Sequence, residues 1–426
     1  MINPGSATAV GMLAASVGFC GLGRVHLRPE AARATVRAGV APPTWEELEA
    51  RLPSATAPEP PVIDSVLSSS EPVLDGLVLF RERHGWCPYS ERVWLALEYK
   101  GLGYTSILID NTGGGRPSWY GGSTPQVRWP DGRQQGESMD LVRRLDEEYP
   151  DSPQLWPPPG MAAADVTEMV VAWKSAFPRS ARPSSRAAFL FDWDGQPLGR
   201  AAFEQVLDKT EALLATHDGP FMAGTEFSAA DIAWAPFLER YAAQLPCLHR
   251  GLSPREDEAR PRLASWYEAM GSVAPYSCRV QGDRDSWRRV LVMAGYGNSG
   301  SPPELVSEEA KPTPSEAPLI VWREYAASRP YVAPTPGEEA AARLVRNRRA
   351  VAADAKRRRA LGTDVADEAI DEAIRSFAAS LCGDEAIALS GEATAFAKFI
   401  ERRMCVPRDM AAPAAAVLRA AVRRQS

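Results

Sequence analysis

The residues most able to do chemistry in this sequence are Cys87 and the proline that follows it. Residues 77–80 (Leu-Val-Leu-Phe) have the composition of a buried strand, and Pro88 suits the first position of a helix. Cys87 is then predicted at the N-cap, facing unpaired N–H groups and the positive end of the helix dipole. That position can lower a cysteine pKa from about 8.5 to roughly 3.5–7.5. A buried, inert cysteine is the alternative, but the strand–Cys-Pro–helix context favours a reactive thiolate.

The residue three positions after Cys87 indicates how a mixed disulfide on this cysteine would be resolved. Position 90 is serine, so the motif is Cys-Pro-Tyr-Ser rather than Cys-x-x-Cys. A dithiol can close its own disulfide, whereas a single thiol needs an outside thiol, of which glutathione is the obvious small example, to resolve a mixed disulfide. Ser90 either donates a hydrogen bond to the thiolate or is simply a small first-turn residue, and the sequence leaves both open.

The elements around Cys87 are predicted to form a thioredoxin-type domain. Residues 104–109 indicate a second strand, parallel to the first because a helix joins the two. Residues 126–129 and 133–136 flank a Pro-Asp-Gly turn and are typical of two further strands. A helix over 137–149 completes the order βαβ and then ββα.

Three short motifs in this region resemble those of the cysteine-type glutathione transferases. The classes most similar are the plant lambda and dehydroascorbate-reductase group, with the omega class as a relative. The spacings fit, because Pro125 follows Cys87 by 38 positions and Glu137 follows Pro125 by 12. The motifs are Cys-Pro-Tyr-Ser-Glu-Arg-Val-Trp from position 87, Thr-Pro from position 124 and Glu-Ser-Met-Asp-Leu-Val from position 137. A further motif, Cys-Val-Pro-Arg-Asp-Met from position 405, resembles the tail of plant and algal plastid relatives, so the chain is similar to a plastid form with a C-terminal extension.

The resemblance implies a glutathione site built from these motifs. It implies a cis Thr124–Pro125 peptide bond, with the Thr124 backbone pairing with the cysteinyl segment of glutathione. It places the γ-glutamyl carboxylate on Ser138 and the ammonium on Glu137, at a helix N-terminus where free N–H groups bind anions. A trans loop proline and simple helix capping are the alternatives. The family usually has an aliphatic residue where this chain has Thr124, but a backbone role survives that change.

The aromatic residues beside the sulfur have two interpretations. Pro88 and Tyr89 are assigned to the same glutathione site through the resemblance. Tyr89 and Trp86 could also form an aromatic wall for a flat acceptor, although packing explains both equally well.

Three cationic side chains precede Cys87 in the loop. Arg81, Arg83 and His84 could stabilise a thiolate and attract anionic glutathione, because a nearby cation favours the charged form of an acid. Their alternative role is that of solvated loop charges, which the sequence favours.

Residues 161–298 are helical in pattern and resemble the all-helical C-terminal domain of the same transferases. Ser228 with Asp231 three positions later is the signature of an N-capping box, and Phe227 can act as a hydrophobic staple. Asp231 is structural in this interpretation, because its carboxylate would satisfy buried helix N–H groups. The predicted fold class is an α/β thioredoxin-like domain (73–156), followed by an all-α transferase domain and a helical extension.

The N-terminal residues resemble a targeting segment more than part of a folded domain. No acidic residue occurs before Glu30, while arginines are spread through Ala-, Gly- and Ser-rich sequence, which is typical of an organelle transit peptide. A weak signal-peptide core and a disordered tail are the alternatives. Thr44 and Glu47 predict one short capped helix within 42–56, and we interpret 1–72 as a transit-peptide-like segment with a Pro-rich linker.

The last hundred residues exceed what a transferase needs. A linker over 299–318 is followed by an extension over 319–426 that is rich in Ala, Arg and Glu. Its pattern predicts helices over 337–360, 366–381 and 393–404, with another after residue 409. We hypothesise that the extension docks on the transferase body or on a partner.

Composition narrows the class of protein further. The chain has 426 residues with 45% apolar and 24% charged residues, as in an ordinary soluble globular protein. A net charge of −6 argues against nucleic acid as the main partner. The 6 cysteines show neither zinc-like pairing nor the density of a disulfide scaffold, and no apolar run is long enough to span a bilayer. We therefore expect no metal and a reducing compartment.

These observations lead to one predicted function and two alternatives. The predicted function is that of a glutathione-dependent thioltransferase, in which Cys87 forms a mixed disulfide with glutathione while it reduces or deglutathionylates a small hydrophobic or oxidised acceptor. The alternatives are glutathione conjugation to electrophiles and a non-catalytic ligand-binding or assembly subunit. We expect a monomer or homodimer in the plastid, with mitochondrion and cytoplasm as the other locations.

Overall fold

The computed structural model describes most of the chain beyond its first forty residues. The described residues are 41–67, 70–111, 115–178, 189–190, 198–299, 319–363, 365–383 and 389–424. The predicted targeting segment, up to residue 40, therefore lies outside them, as do most of the predicted linker residues 299–318.

The described strands form one five-stranded mixed sheet. They are β1 (Val62–Asp64), β2 (Val78–Glu82), β3 (Thr105–Ile109), β4 (Gln126–Arg128) and β5 (Gln134–Gln135). Their spatial order is β1-β3-β2-β4-β5. The central strand β2 runs parallel to β3 and antiparallel to β4, so the predicted βαβ and ββα order is confirmed.

The helices divide into those of the transferase body and those of the extension. The body helices are α2 (Pro88–Tyr99), α3 (Ser138–Glu148), α4 (Ala163–Ala176), α5 (Arg200–Leu214), α6 (Ala229–Leu248), α7 (Pro261–Ser272) and α8 (Arg284–Ser299). The remaining helices are α1 (Trp45–Arg51), α9 (Leu319–Ala327), α10 (Pro336–Arg346), α11 (Arg348–Arg357), α12 (Asp367–Leu381), α13 (Gly391–Arg403) and α14 (Ala412–Arg424).

The sheet buries both of its faces at its centre, where every residue of β2 and β3 is buried. Leu79 of β2 faces α2 and α3, in an apolar cluster that continues into α4 and α6. The alternate residues Val78 and Phe80 pack on the opposite face with Tyr120. The predicted fold class is therefore confirmed, although the sheet and the helical bundle share one core. The domain boundaries stay predictions.

The segment interpreted as a Pro-rich linker before the sheet is more than a linker, and that prediction was wrong for β1. Val62, Ile63 and Asp64 pair in parallel with β3 at the edge of the sheet. The prolines at positions 60 and 61 concealed this strand, since proline lacks a donor for a sheet ladder and is tolerated at edges.

Helix α6 is the centre of the bundle, and the capping box predicted at its start is present. Asp231 is fully buried, and its Oδ1 accepts hydrogen bonds of 2.9 Å from the Met222 N–H and the Trp266 indole. Its Oδ2 accepts 2.9 Å bonds from the N–H and hydroxyl of Ser228. These bonds satisfy the polar groups that the start of a buried helix would otherwise leave unpaired.

The extension forms a second apolar core together with α1. Thr44 caps α1 through the predicted box with Glu47, and the indole of Trp45 donates to Asp371 of α12 at 2.8 Å. The helix predicted over 337–360 is instead two helices, α10 and α11, because the chain turns at Asn347. Within the described parts of the chain, no helix is long and apolar enough to cross a bilayer.

Candidate active site

Cys87 stands at the N-cap of α2, as the sequence predicts, with Pro88 at the first helical position. The thiol is only 3% exposed, and its Sγ lies 3.7 Å from the carbonyl oxygen of Thr124. The Thr124–Pro125 peptide bond is cis, as the resemblance implied. The cysteine and the loop before β4 therefore meet at one end of the sheet.

The expectation that this position lowers the pKa of Cys87 was wrong. Burial of the thiol raises its pKa above the ordinary value, and the carboxylate of Glu82 raises it further. Hydrogen bonds from the Ser90 hydroxyl and from the N–H groups of Ser90 and Tyr89 oppose this shift without reversing it. Desolvation disfavours a charged sulfur more strongly than the helix N-terminus favours it.

Ser90 has two partners that fix its orientation. Its Oγ accepts a hydrogen bond of 3.3 Å from the backbone N–H of Glu82, so the hydroxyl hydrogen can point to the sulfur of Cys87. Of the two roles left open for Ser90, this geometry supports that of a donor to the thiolate.

The cysteine loop, residues 83–87, is organised by the buried carboxylate of Glu82. Its Oε1 accepts hydrogen bonds from the backbone N–H of His84 at 3.0 Å and from the imidazole Nδ1 at 2.8 Å. Its Oε2 accepts the backbone N–H of Trp86 at 2.7 Å. Burial alone would raise the pKa of Glu82, but these hydrogen bonds lower it below its ordinary value. No sequence motif pointed to a role for Glu82.

The three loop cations are occupied by partners of their own. Arg81 is buried with its guanidinium 4.1 Å from the ring centroid of Trp94, so the prediction of a solvated charge was wrong for it. Arg83 forms a salt bridge of 2.6 Å with Asp64 at the end of β1. His84 is paired with Glu82, as described above.

Glu137 and Ser138 open α3, and Glu137 does so in an unusual conformation. Its φ of 63° lies in the left-handed region, which costs free energy for a residue with a side chain and is often found at functional sites. Ser138 is buried, and its hydroxyl lies 3.5 Å from Nη1 of Arg92 on the Cys87 helix. The structure thus brings the predicted residues of α2 and α3 to the same end of the sheet.

Arg92 is a residue of this region whose position no sequence motif predicted. Its guanidinium is buried between α2, α3 and α6, where Nε donates to the carbonyl of Ala233 at 3.0 Å. The guanidinium lies 4.4 Å from the ring of Trp173 and 5.4 Å from that of Tyr89. Burial lowers its pKa to about 9, with Tyr89 and Cys87 acting in the opposite direction. Arg92 therefore keeps its charge at neutral pH.

Arg240 of α6 reaches the cysteine loop from the helical bundle. Its Nη2 donates to the carbonyl of Trp86 at 3.0 Å, and Nη1 donates to Glu91 of α2 at 2.7 Å. The guanidinium also stacks 3.9 Å from the ring centroid of Trp287. A Glu-Arg pair in the middle of the largely apolar α6 was the available signal, because buried charges require partners.

Potential metal ligands do not cluster in the described part of the chain. No group of three or more His, Cys, Asp and Glu side chains is arranged there to hold a metal ion. The described site instead brings together a thiol, hydrogen-bond donors that face it and the backbone of Thr124 before a cis proline.

Two family models match the chain over the regions described above. The model for the N-terminal domain of glutathione S-transferases matches residues 86–148, and that for the C-terminal domain matches residues 163–269. Among solved structures, glutathione transferase Omega 1C from Trametes versicolor is 21% identical, covers 53% of this chain and 98% of its own, and has a TM-score of 0.42.

Curated relatives match the same part of the chain. Glutathione S-transferase L2, chloroplastic, from Arabidopsis thaliana is 29% identical over 49% of this chain and 69% of its own length. Glutathione S-transferase DHAR2 from the same plant is 33% identical over 36% of this chain and 66% of its own. Glutathione S-transferase L3 is 31% identical over 45% of this chain and 77% of its own length. The chain belongs to the glutathione S-transferase family.

Proposed function

We propose that the chain is a glutathione-dependent thioltransferase in which Cys87 forms a mixed disulfide with glutathione. The observation that carries the proposal is the distance of 3.7 Å from the Cys87 sulfur to the Thr124 carbonyl, beside the cis Pro125. A peptide that pairs with the Thr124 backbone as an added strand would bring its own sulfur next to Cys87.

The rest of the tripeptide would lie towards α3. Ser138 and the free N–H groups at the start of this helix suit the γ-glutamyl carboxylate, and the Glu137 carboxylate suits the ammonium. The left-handed backbone of Glu137 supports a binding role, because such a conformation persists only where the surroundings require it. Pro88 and Tyr89 would contact the cysteinyl segment from the Cys87 side.

The proposed reaction consists of two thiol–disulfide exchanges. In the first, the Cys87 thiolate attacks the glutathione sulfur of a glutathionylated acceptor, which forms the Cys87–glutathione disulfide and breaks the acceptor's disulfide bond. The acceptor leaves as a thiolate and takes a proton from solvent. In the second, the thiolate of another glutathione attacks the glutathione sulfur on Cys87, so that oxidised glutathione leaves and the Cys87 thiolate returns.

The raised pKa of Cys87 sets a condition on this mechanism. Because burial and Glu82 favour the neutral thiol, deprotonation depends on the donors that face the sulfur, namely the Ser90 hydroxyl and the first-turn N–H groups. A thiol of high pKa is also a strong nucleophile once ionised, which partly compensates for its low thiolate fraction.

The same observation supports conjugation as a second candidate function. A neutral Cys87 could donate its S–H hydrogen to the thiolate of bound glutathione, which would then attack an electrophile.

The second substrate in either case is proposed to be a small hydrophobic or oxidised acceptor beside Tyr89, whose ring lies 6.0 Å from that of Phe237. The chain is expected to be a monomer or a homodimer, and light scattering would distinguish these two oligomeric states by their mass.

Replacing Ser90 with alanine should slow the alkylation of Cys87 by iodoacetamide. Loss of one hydrogen bond to the thiolate, about 1 kcal/mol, raises the pKa by roughly 0.7 and reduces the rate at pH 7.5 about fivefold. The rate is followed by peptide mapping across pH, and the profile should move to higher pH. Ser175→Ala, an exposed position of α4, is the control. An unmoved profile in Ser90→Ala would exclude the donor role.

Incubation with oxidised glutathione should place a single glutathione on Cys87, as seen by intact mass and peptide mapping. Cys87→Ser should lose this adduct and the glutathione-dependent reduction of hydroxyethyl disulfide, because the exchange requires a sulfur nucleophile. Cys247→Ser, a buried position of α6, should retain both. If Cys87→Ser still reduces the disulfide, the proposed mechanism is contradicted. If Cys87→Ser still conjugates glutathione to electrophiles, the second function is favoured. If glutathione has no effect on the unaltered chain, a ligand-binding or assembly subunit is favoured.

Replacing Ser138 with alanine should weaken glutathione binding more than it slows the reaction. Loss of a hydrogen bond to a carboxylate, about 1.5 kcal/mol, corresponds to a rise in KM for glutathione of roughly tenfold with little change in kcat. Steady-state kinetics over a range of glutathione concentrations measures both constants. Ser152→Ala, in the turn after α3, should behave as the unaltered chain does. An unchanged KM in Ser138→Ala would remove Ser138 from the site.

The chain is also proposed to reach the plastid. The support is the acid-free, Arg-containing composition of the first residues and the similarity to the chloroplastic glutathione S-transferase L2. A fusion of residues 1–45 to a fluorescent protein should therefore accumulate in chloroplasts of plant or algal cells. Fluorescence in mitochondria or cytosol would support one of the alternative locations instead.

A further inference from the structure

The segment between α13 and α14 contacts the cysteine loop directly. We call this segment, residues 405–409, the strap. Its first three residues, Cys405, Val406 and Pro407, are buried although they belong to the extension. The strap lies against the residues of the cysteine loop that precede Cys87 in the chain. The extension therefore contacts the body close to the candidate active site.

The thiol of Cys405 bridges two residues of the cysteine loop. Its Sγ accepts a hydrogen bond from the indole Nε1 of Trp86 at 3.1 Å and donates to the carbonyl of His84 at 3.7 Å. Burial raises the pKa of Cys405 to about 12, so the group is a neutral thiol that can donate and accept at once.

Pro407 packs on the residue between these two. Its ring carbons lie 3.1 Å from the place where a Cβ of Gly85 would be, and Gly85 has a φ of +79°. A larger residue at this position would meet both a backbone penalty and the proline ring. The strap and the loop are therefore in close contact over three consecutive loop residues.

The strap is held in place by the body rather than by the extension alone. The N–H of Val406 donates to the Ser286 hydroxyl of α8 at 3.0 Å, and Arg289 donates to the carbonyl of Met404 at 3.0 Å. Arg419 of α14 donates to Asp283 at 2.8 Å. Polar contacts on both sides of the strap thus fix it relative to α8.

Trp86 transmits this arrangement to Cys87. Its N–H is bound by Glu82 and its carbonyl by Arg240, and its indole is packed in one apolar cluster with Trp287 of α8. The carbonyl of Trp86 belongs to the peptide bond that carries the N–H of Cys87. A displacement of the Trp86 backbone would therefore move this peptide bond and, with it, the residue that carries the thiol.

We propose that Cys405 is a positioning residue for the Cys87 thiol, acting through the indole of Trp86. The extension is then a working part of the active site and not an appended domain. This inference rests on the proposed function in so far as Cys87 is the reacting group. The position of the thiol, however, can be measured without turnover.

The first measurement is the pH profile of Cys87 alkylation by iodoacetamide in the full chain, followed by peptide mapping. Among the described residues, the charged or titratable groups that interact with Cys87 include Glu82, Tyr89, Arg92 and Tyr120, and the variants below alter none of these four. A loop released from the strap should expose the thiol, so its profile should move to lower pH and its rate at pH 7.5 should rise about threefold.

The variants are Cys405→Ala, which removes both hydrogen bonds, and Cys405→Ser, which keeps a donor and an acceptor. In Cys405→Ala, kcat/KM for reduction of hydroxyethyl disulfide should fall about tenfold, because the Cys87 thiol is no longer oriented for the exchange. Alkylation should become faster, because the same thiol is more exposed to solvent. Cys405→Ser should restore both values to within about threefold of the unaltered chain. Cys382→Ala is the control, since the extension uses the backbone carbonyl of Cys382 to bind Arg51.

A purely structural strap would lower the urea midpoint of Cys405→Ala and leave its alkylation profile unmoved, which would overturn the proposal. If Cys405→Ala does not fold, Trp86→Phe removes the indole donor while keeping a ring, and the same shifts are expected. If the unaltered chain neither binds glutathione nor turns over, but the profile of Cys87 still moves in Cys405→Ala, the positioning role stands and the proposed function fails.

Discussion

One buried carboxylate, that of Glu82, organises the candidate active site and also opposes its chemistry. At the end of β2 it binds the N–H groups of His84 and Trp86, so the cysteine loop is folded around a negative charge. Burial raises the pKa of Cys87, which the helix start alone would lower, and the charge of Glu82 raises it further. The carboxylate that orders the loop therefore disfavours the thiolate form of Cys87. The Ser90 hydroxyl, which faces the sulfur, partly offsets this effect.

Much of the fold could be predicted because its signals are local. The Cys87–Pro88 helix start and the two capping boxes are written in neighbouring residues, and they appear where the sequence predicts them. The strands around β2 follow from apolar runs bounded by turn residues. The edge strand β1 was missed because its three residues follow two prolines, and its identity depends on pairing with β3.

The parts that could not be predicted depend on residues far apart in the chain. Arg240 binds the Trp86 carbonyl across 154 positions, and the Cys405 thiol reaches the Trp86 indole across 319. The pKa of Cys87 was misjudged for the same reason, because the burial that raises it comes from the surrounding fold and not from the motif. Motifs identify which group reacts, whereas the packing of distant elements decides how it is charged and where it points.

The partnership of α1 with the extension has a consequence for the order of biosynthesis. Trp45 and its acceptor Asp371 are separated by 326 positions, and the apolar surface around Leu48 is completed by α10 and α12. A helix of 7 residues is not stable alone in water, so α1 leaves the ribosome long before anything exists to cover it. The nascent chain therefore keeps Leu48, the buried residue of α1, uncovered until α10 and α12 have been translated, and this interval is when a chaperone would matter most.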